Sequence, residues 1–412
     1  MSCVRPCGLK GCGRPARPQR QESPLTQTDD LTRIAEAARD WRRDLHQMPE
    51  LLYALPKTSA YVAEKLRGFG VDELVTGLAD TGMVALIRGA GGDGPVLGLR
   101  ADMDALPMDE KTNLPYGSRH PGMMHACGHD GHTATLLATA QYLCAHRDFA
   151  GTVALIFQPA EEGGAGARKM IEDGLFDRFG IETVYAMHNQ PGLPVGEFAT
   201  RPGALMAAGD RFVVTVEGRG GHASAPSKSL DPVVAAAHLI ASLQTLVSRF
   251  TDPFDQVVLS LTYLQAGAPG ALNVIPDTAV FGGSLRTMTV ETRREAEAHI
   301  RRILRAGAEQ FGCTAHLDWR PGYPVTANDP AKTALAVEVA RQAAVVDDSC
   351  AAVMGSEDFS YMLEAKPGAI LWFGNGDSAE LHNPGYDFND DAILPAMRFW
   401  VDLVARELAP AA

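Results

Sequence analysis

Apolar positions recur every three to four residues through 29–47, which puts Leu31, Ile34, Ala38, Trp41 and Leu45 on one face. That period predicts an amphipathic helix, with Pro49 just past its end. A second helix is expected from a cap at Thr58 to a stop at Gly70. The pattern then changes to short apolar runs bounded by glycine, at 82–87, 96–99, 152–157 and 184–187. These read as strands, and helical stretches at 133–146 and 167–173 fall between them. Strand–helix alternation of this kind predicts an α/β domain with a largely parallel sheet.

The texture changes after residue 204. Strands are expected at 212–216, 257–263, 279–286 and 315–319, with helices at 232–248 and 292–310. Their order, βαββαβ, predicts a ferredoxin-like unit. Helix resumes at 330–345 and a strand at 370–373. The chain therefore divides into a first domain, 29–204 and 322–412, interrupted by a second at 205–321.

Composition narrows the class. Hydrophobic residues make up 46% of the 412 and charged residues 21%, as in a globular protein. The net charge of −13 argues against nucleic acid as a partner. No run of about 18 apolar residues stands out, so no membrane span is expected. The first 20 residues hold Arg5, Lys10, Arg14, Arg17 and Arg20 without an acid. With no apolar core to that segment, 1–28 is read as a disordered basic tail rather than a secretory signal. Its Cys3, Cys7 and Cys12 lack zinc-site spacing. The other four cysteines form no framework either, and a reducing cytoplasm fits best.

The chemistry concentrates in His125-Ala126-Cys127-Gly128-His129-Asp130-Gly131-His132. A thiol and imidazoles this dense are metal ligands by type. Other candidates fall just beyond expected strands: Asp102 and Asp104, the pair Glu161-Glu162, and His188. In open α/β sheets such positions gather at the carboxyl ends of the strands. Cys127 and His129 on one turn, with Glu162, His188 and His382, give five ligands, more than a tetrahedral structural zinc needs. A thiolate can bridge two ions, so a binuclear site is the simplest reading. Glu161 is then free to act as general base on a water activated by the metals. Taken singly, His125, His132 and the glutamate pair read as support or solvated residues; it is their joint placement that points to a site.

These segments resemble the M20 metallopeptidase family, in its amidohydrolase branch. That branch includes hippurate hydrolases, N-acyl-amino-acid amidohydrolases and plant indoleacetyl-amino-acid hydrolases. The resemblance is carried by Leu99-Arg100-Ala101-Asp102-Met103-Asp104-Ala105-Leu106-Pro107, by the Cys127 segment, and by Phe157-Gln158-Pro159-Ala160-Glu161-Glu162-Gly163. Ala186-Met187-His188-Asn189, Gly220-Gly221-His222-Ala223, Leu272-Asn273-Val274-Ile275-Pro276, Ser356-Glu357-Asp358-Phe359 and Leu381-His382-Asn383-Pro384 extend it. It implies a di-metal exopeptidase-like catalytic domain with an inserted lid and dimerisation domain. Cys127 resembles the bridging thiolate where other branches use aspartate, and His129, Glu162, His188 and His382 the remaining ligands. Glu161 resembles the general base. His222, Asn273 and Arg286 match positions that reach substrate: His222 at the oxyanion, from a partner subunit, and Asn273 and Arg286 at the substrate carboxylate. Asp104 matches a residue that orients a metal-bound histidine, and Asp102 stands where that histidine would be. The chain departs from the family at Ala54-Leu55, where an acidic pair is usual, and at Met48, which replaces a common histidine.

The resemblance implies hydrolysis of small N-acyl amino acids by two divalent ions, manganese or zinc, with cobalt and nickel also open. It implies a homodimer or homotetramer joined through the lid. A dipeptidase or aminopeptidase on this scaffold would need an acid to hold an α-ammonium, and none stands apart from the site. A non-catalytic binding protein would be expected to lack a ligand or the base, and all are present.

Overall fold

The computed structural model describes residues 28–410. The basic tail expected at 1–28 lies outside the described residues, save for Thr28. An eight-stranded sheet forms the body, in the order β1 (Glu73–Leu78), β2 (Gly82–Arg88), β4 (Thr152–Gln158), β3 (Val96–Asp102), β5 (Ile181–Pro191), β16 (Gly368–Gly376), β6 (Glu197–Ala199) and β15 (Val345–Asp347). Strand side chains alternate between faces, and both faces are covered. Met83, Ala85 and Ile87 pack with the layer of α1 (Thr28–His46), α2 (Pro56–Phe69), α3 (His129–Ala145) and α10 (Ile393–Glu407). Val84 and Leu86 pack on the other side, with α4 (Gly166–Glu172), α5 (Leu175–Phe179) and α9 (Ser360–Ala365). Burial on both faces explains why these strands are unbroken apolar runs rather than alternating ones.

The sheet is mixed, with four of its seven strand pairings parallel. Only β4, β3, β5 and β16 form a continuous parallel block. β1–β2, β2–β4 and β16–β6 are antiparallel. The β1–β2 hairpin turns through Ala79 and Asp80, both at positive φ, with no glycine at either position. Thr58 is not a cap: α2 starts at Pro56, and the Glu50 carboxylate accepts the N–H of Lys57 and Thr58. Gly70 does end that helix, at φ 82°. The helix expected over 330–345 stops at Arg341, as α8 (Pro330–Arg341), because Val345 enters β15.

The insertion folds as βαββαβ: β8 (Ala208–Glu217), α6 (Pro232–Leu243), β10 (Val257–Ala266), β12 (Thr278–Thr287), α7 (Val290–Glu309) and β13 (Thr314–Arg320). Its sheet order is β10-β12-β8-β13, with a core of its own under α6 and α7. The short ribbon β9 (Gly221–His222) with β11 (Val274–Ile275) projects from it. The two connectors to the body pair as β7 (Gly203–Met206) and β14 (Thr326–Asn328). Pro232–Phe250 is apolar and long enough to cross a membrane by length and composition alone, a test that a core helix also passes. Its Ala235, Ala236, Leu239 and Leu243 pack into the insertion's core.

Candidate metal centre

The parallel block brings its carboxyl ends to one edge, and the predicted ligands collect there. Asp102 ends β3, and Glu161-Glu162 follow β4. His188 lies inside β5, which runs further than expected, and pairs in register with Trp372 of β16. Cys127 precedes α3 and His129 opens it. Between them Gly128 sits at φ 90°, and a Cβ there would meet Asn189 Oδ1 at 2.3 Å and Tyr386 Oη at 2.7 Å. Only glycine lets thiol and imidazole turn into the same space.

Among the described residues, five groups of three candidate ligands have donor atoms within 4.8 Å of one another; one joins Glu161 to His129 and Glu162, and two share Cys127. Of those two, one is Cys127, His129 and His188; the other is Cys127, Glu162 and His382. Cys127 belongs to both. The histidines are set as ligands usually are, with one ring nitrogen held by the backbone. His129 Nδ1 bonds the carbonyl of Asp104 at 2.8 Å, and His188 Nδ1 that of Asn189 at 2.8 Å. His188 Nε2 then lies 3.4 Å from the Cys127 sulfur. His129 Nε2 is buried without a hydrogen-bond partner, which suits a ligand atom. His382, at φ 61°, comes from a loop whose own N–H bonds Ala126 O, and its Nε2 is 3.2 Å from Glu162 Oε1. The donor set therefore fits two divalent cations that share a thiolate.

Electrostatics agree. Burial, and then the charges of Glu162 and Glu161, push the Cys127 thiol well up. Burial and the nearby Glu357, Glu162, Asp358 and Asp104 hold the Glu161 carboxyl well above its usual range. Burial opposes a charge on His129, yet Asp102 and Asp104 push it up to about 10. Crowded anions of this kind are relieved by cations at their centre.

Asp104, which resembles a histidine-orienting residue, orients His129 through its carbonyl, while its carboxylate anchors the turn that carries both glutamates. Asp102 holds His132 Nδ1 at 2.6 Å, and Arg100 at 2.7 Å. Arg100 is buried and also bonds Gln158, Glu357 and Asp358, which places the latter two in a supporting network. Sequence reading left Arg100 without a role; a charged residue inside an apolar strand is the signal that could have found it. Tyr323, which touches the Glu161 turn, was also missed.

Arg286 shares a cleft of ≈ 880 Å³ with Cys127, Glu161, Glu162, His188 and His382. It reaches across from β12 to donate to Ser356 Oγ at 2.8 Å. His222 and Asn273 are not brought to this cleft. They stand together on the exposed β9–β11 ribbon, where the Ala223 N–H bonds Asn273 O and Ser224 bonds His222 Nδ1.

Residues 98–406 match Peptidase family M20/M25/M40. The chain belongs to that family. Among M20 relatives, it is 40% identical to the N-acetylcysteine deacetylase of Bacillus subtilis over 88% of this chain and 94% of that one. It is 40% identical to the hippurate hydrolase of Campylobacter jejuni, over 89% and 95%. A solved Bacillus subtilis structure, described as a dinuclear metal binding peptidase from the M20 family, superposes with a TM-score of 0.81 at 36% identity. It covers 92% of this chain and 100% of its own.

Proposed function

We infer that this M20 chain is a metal-dependent amidohydrolase that cleaves small N-acyl amino acids to a carboxylic acid and a free amino acid. The observation that carries this is the pair of triplets sharing Cys127, with Glu161 beside them, grouped with His129 and Glu162. The names of the relatives, a deacetylase and a hippurate hydrolase, agree with it.

Cys127, His129 and His188 would hold one divalent ion, and Cys127, Glu162 and His382 the other, manganese and zinc being the first candidates. When bound, such ions polarise a carbonyl and make a water acidic near neutral pH. Glu161 is the general base. It takes the proton from water and returns it to the leaving nitrogen. Arg286 offers a planar fork to the substrate carboxylate. The insertion, 205–321, serves as a lid. His222 and Asn273, exposed on its ribbon, reach substrate in a second copy of the chain, within a homodimer or homotetramer. The four unpaired thiols among the described residues favour a cytoplasmic setting.

The test is hydrolysis of hippurate and a panel of N-acetyl amino acids after chelation and reloading with Mn²⁺ or Zn²⁺. Turnover restored by either metal is expected. No turnover of any substrate with either would sink the reading.

A further inference from the structure

We propose that Tyr323 is a positioning residue through which the seating of the lid sets the geometry of Glu161. The proposal rests on Glu161 being the general base, as above.

The turn carrying Glu161 does not hold itself. Ala160 and Ala165 stand at φ 58° and 61°, a left-handed backbone that is strained for an alanine. External groups keep it there. Asp104 takes the N–H of Glu161 and Glu162, Tyr53 bonds Gly164 O, and Asp358 takes the N–H of Ala167. These three belong to the body of the protein. Tyr323 is different: it lies in the segment returning from the lid, three residues past the end of β13. Its hydroxyl donates to the carbonyl of Glu161 itself and accepts the N–H of Gly163 at 2.9 Å and of Ala165 at 3.2 Å. One phenol oxygen thus spans the turn from its catalytic residue to its strained alanine.

The segment bearing Tyr323 is in turn fixed to the lid. The Gly209 N–H bonds Tyr323 O at 3.1 Å, which ties the start of β8 to the returning segment. A Cβ on Gly322 would meet Gly209 O at 1.8 Å, so the two backbones cross in contact. Asp210 takes the Gly322 N–H, and Arg293 of α7 donates to Gly322 O while pairing with Asp210. A rotation of the lid that moves this crossing must move Tyr323 or break its bonds. The base turn is then held in its working shape only while the lid is seated.

The experiment uses the metal-loaded full chain. Tyr323→Phe removes one oxygen and keeps the ring. Expected is a fall in kcat of about tenfold or more, from misplacement of the base, with KM within about twofold and metal content unchanged. Amide exchange over 160–166 should quicken by about tenfold in the same variant. Arg293→Gln, which frees Gly322, should also lower kcat, and the double variant should lose less than the product of the two single losses. A kcat within about twofold of wild type in Tyr323→Phe overturns the proposal, as does a loss that follows metal content. Unchanged exchange, or independent losses in the double variant, refutes the coupling to the lid. If the wild type turns over no substrate, it is the parent reading of Glu161 that fails.

Discussion

Asp104 accepts the backbone N–H of Glu161 at 2.9 Å, and its second oxygen accepts that of Glu162 at 3.1 Å. One buried carboxylate thus sets the spacing between the proposed base and a proposed ligand, which are neighbours in sequence. Asp104→Asn keeps the shape but turns an NH₂ against one of the two N–H groups. We expect kcat to fall about a hundredfold, the scale of a base displaced by about 1 Å. Steady-state kinetics on the best N-acyl substrate measures this; unchanged kcat would mean the turn is held without Asp104.

Glu161→Gln should abolish measurable turnover, a loss of about 10²–10⁴-fold, and still bind two metals. Metal analysis of the purified variant decides the assignment. Should that variant lose a metal instead, the roles of Glu161 and Glu162 are reversed.

Arg286→Ala should raise KM for substrates with a free carboxylate by about 10- to 100-fold, the loss of a charge-assisted pair. Matched amides lacking the carboxylate should be affected far less. An equal effect on both would remove Arg286 from substrate binding and leave it as a tie to Ser356.

Chelation should lower the melting temperature. At a hundredfold excess over Kd, each ion contributes about 2.7 kcal/mol to the folded state. The effect should weaken at lower pH, because Cys127 must give up a proton that burial makes it hold. Calorimetry with and without chelator, at two pH values, tests both statements; a melting temperature indifferent to chelator would count against the site.

Asp402 on α10 offers a pH test away from the site. Burial pushes its carboxyl up to about 6, Arg398 opposing only partly from 3.8 Å. The folded state therefore holds this proton more tightly than the unfolded chain. Stability falls as pH rises from the unfolded value of 3.8 through about 6, by about 3 kcal/mol at most. Asp402→Asn should be more stable than wild type at pH 8 and nearly equal at pH 4, by denaturant melts. A variant less stable at pH 8 would contradict this.

The parts of this centre legible in the sequence were those whose chemistry is local. Cys127 and His129 share a turn, and Asp102 and Glu161 sit at strand ends, where ligands of α/β sheets gather. The core strands were readable because burial on both faces leaves no polar residue to interrupt them. β1, β6 and β15 were not: β1 is half exposed with Gly77 inside it, and the other two are three residues long. His382 was named only as a histidine in a turn-like context, with the resemblance added, since an isolated turn has no periodicity to mark it. The work of Asp104, Arg100 and Tyr323 lies in contacts across 57, 257 and 162 residues, which no local pattern encodes.

The shared thiol has a consequence for the enzyme's chemical lifetime. Sulfur is the one ligand atom here that oxygen or peroxide can convert, first to a sulfenic acid and then irreversibly beyond it. Because Cys127 serves both triplets, a single oxidation event would strip a donor from each, with no half-active species left behind. Coordination protects the sulfur, so the vulnerable interval is the empty one: protein made or stored without metal should age into a form that later loading cannot rescue, whereas loaded protein should not.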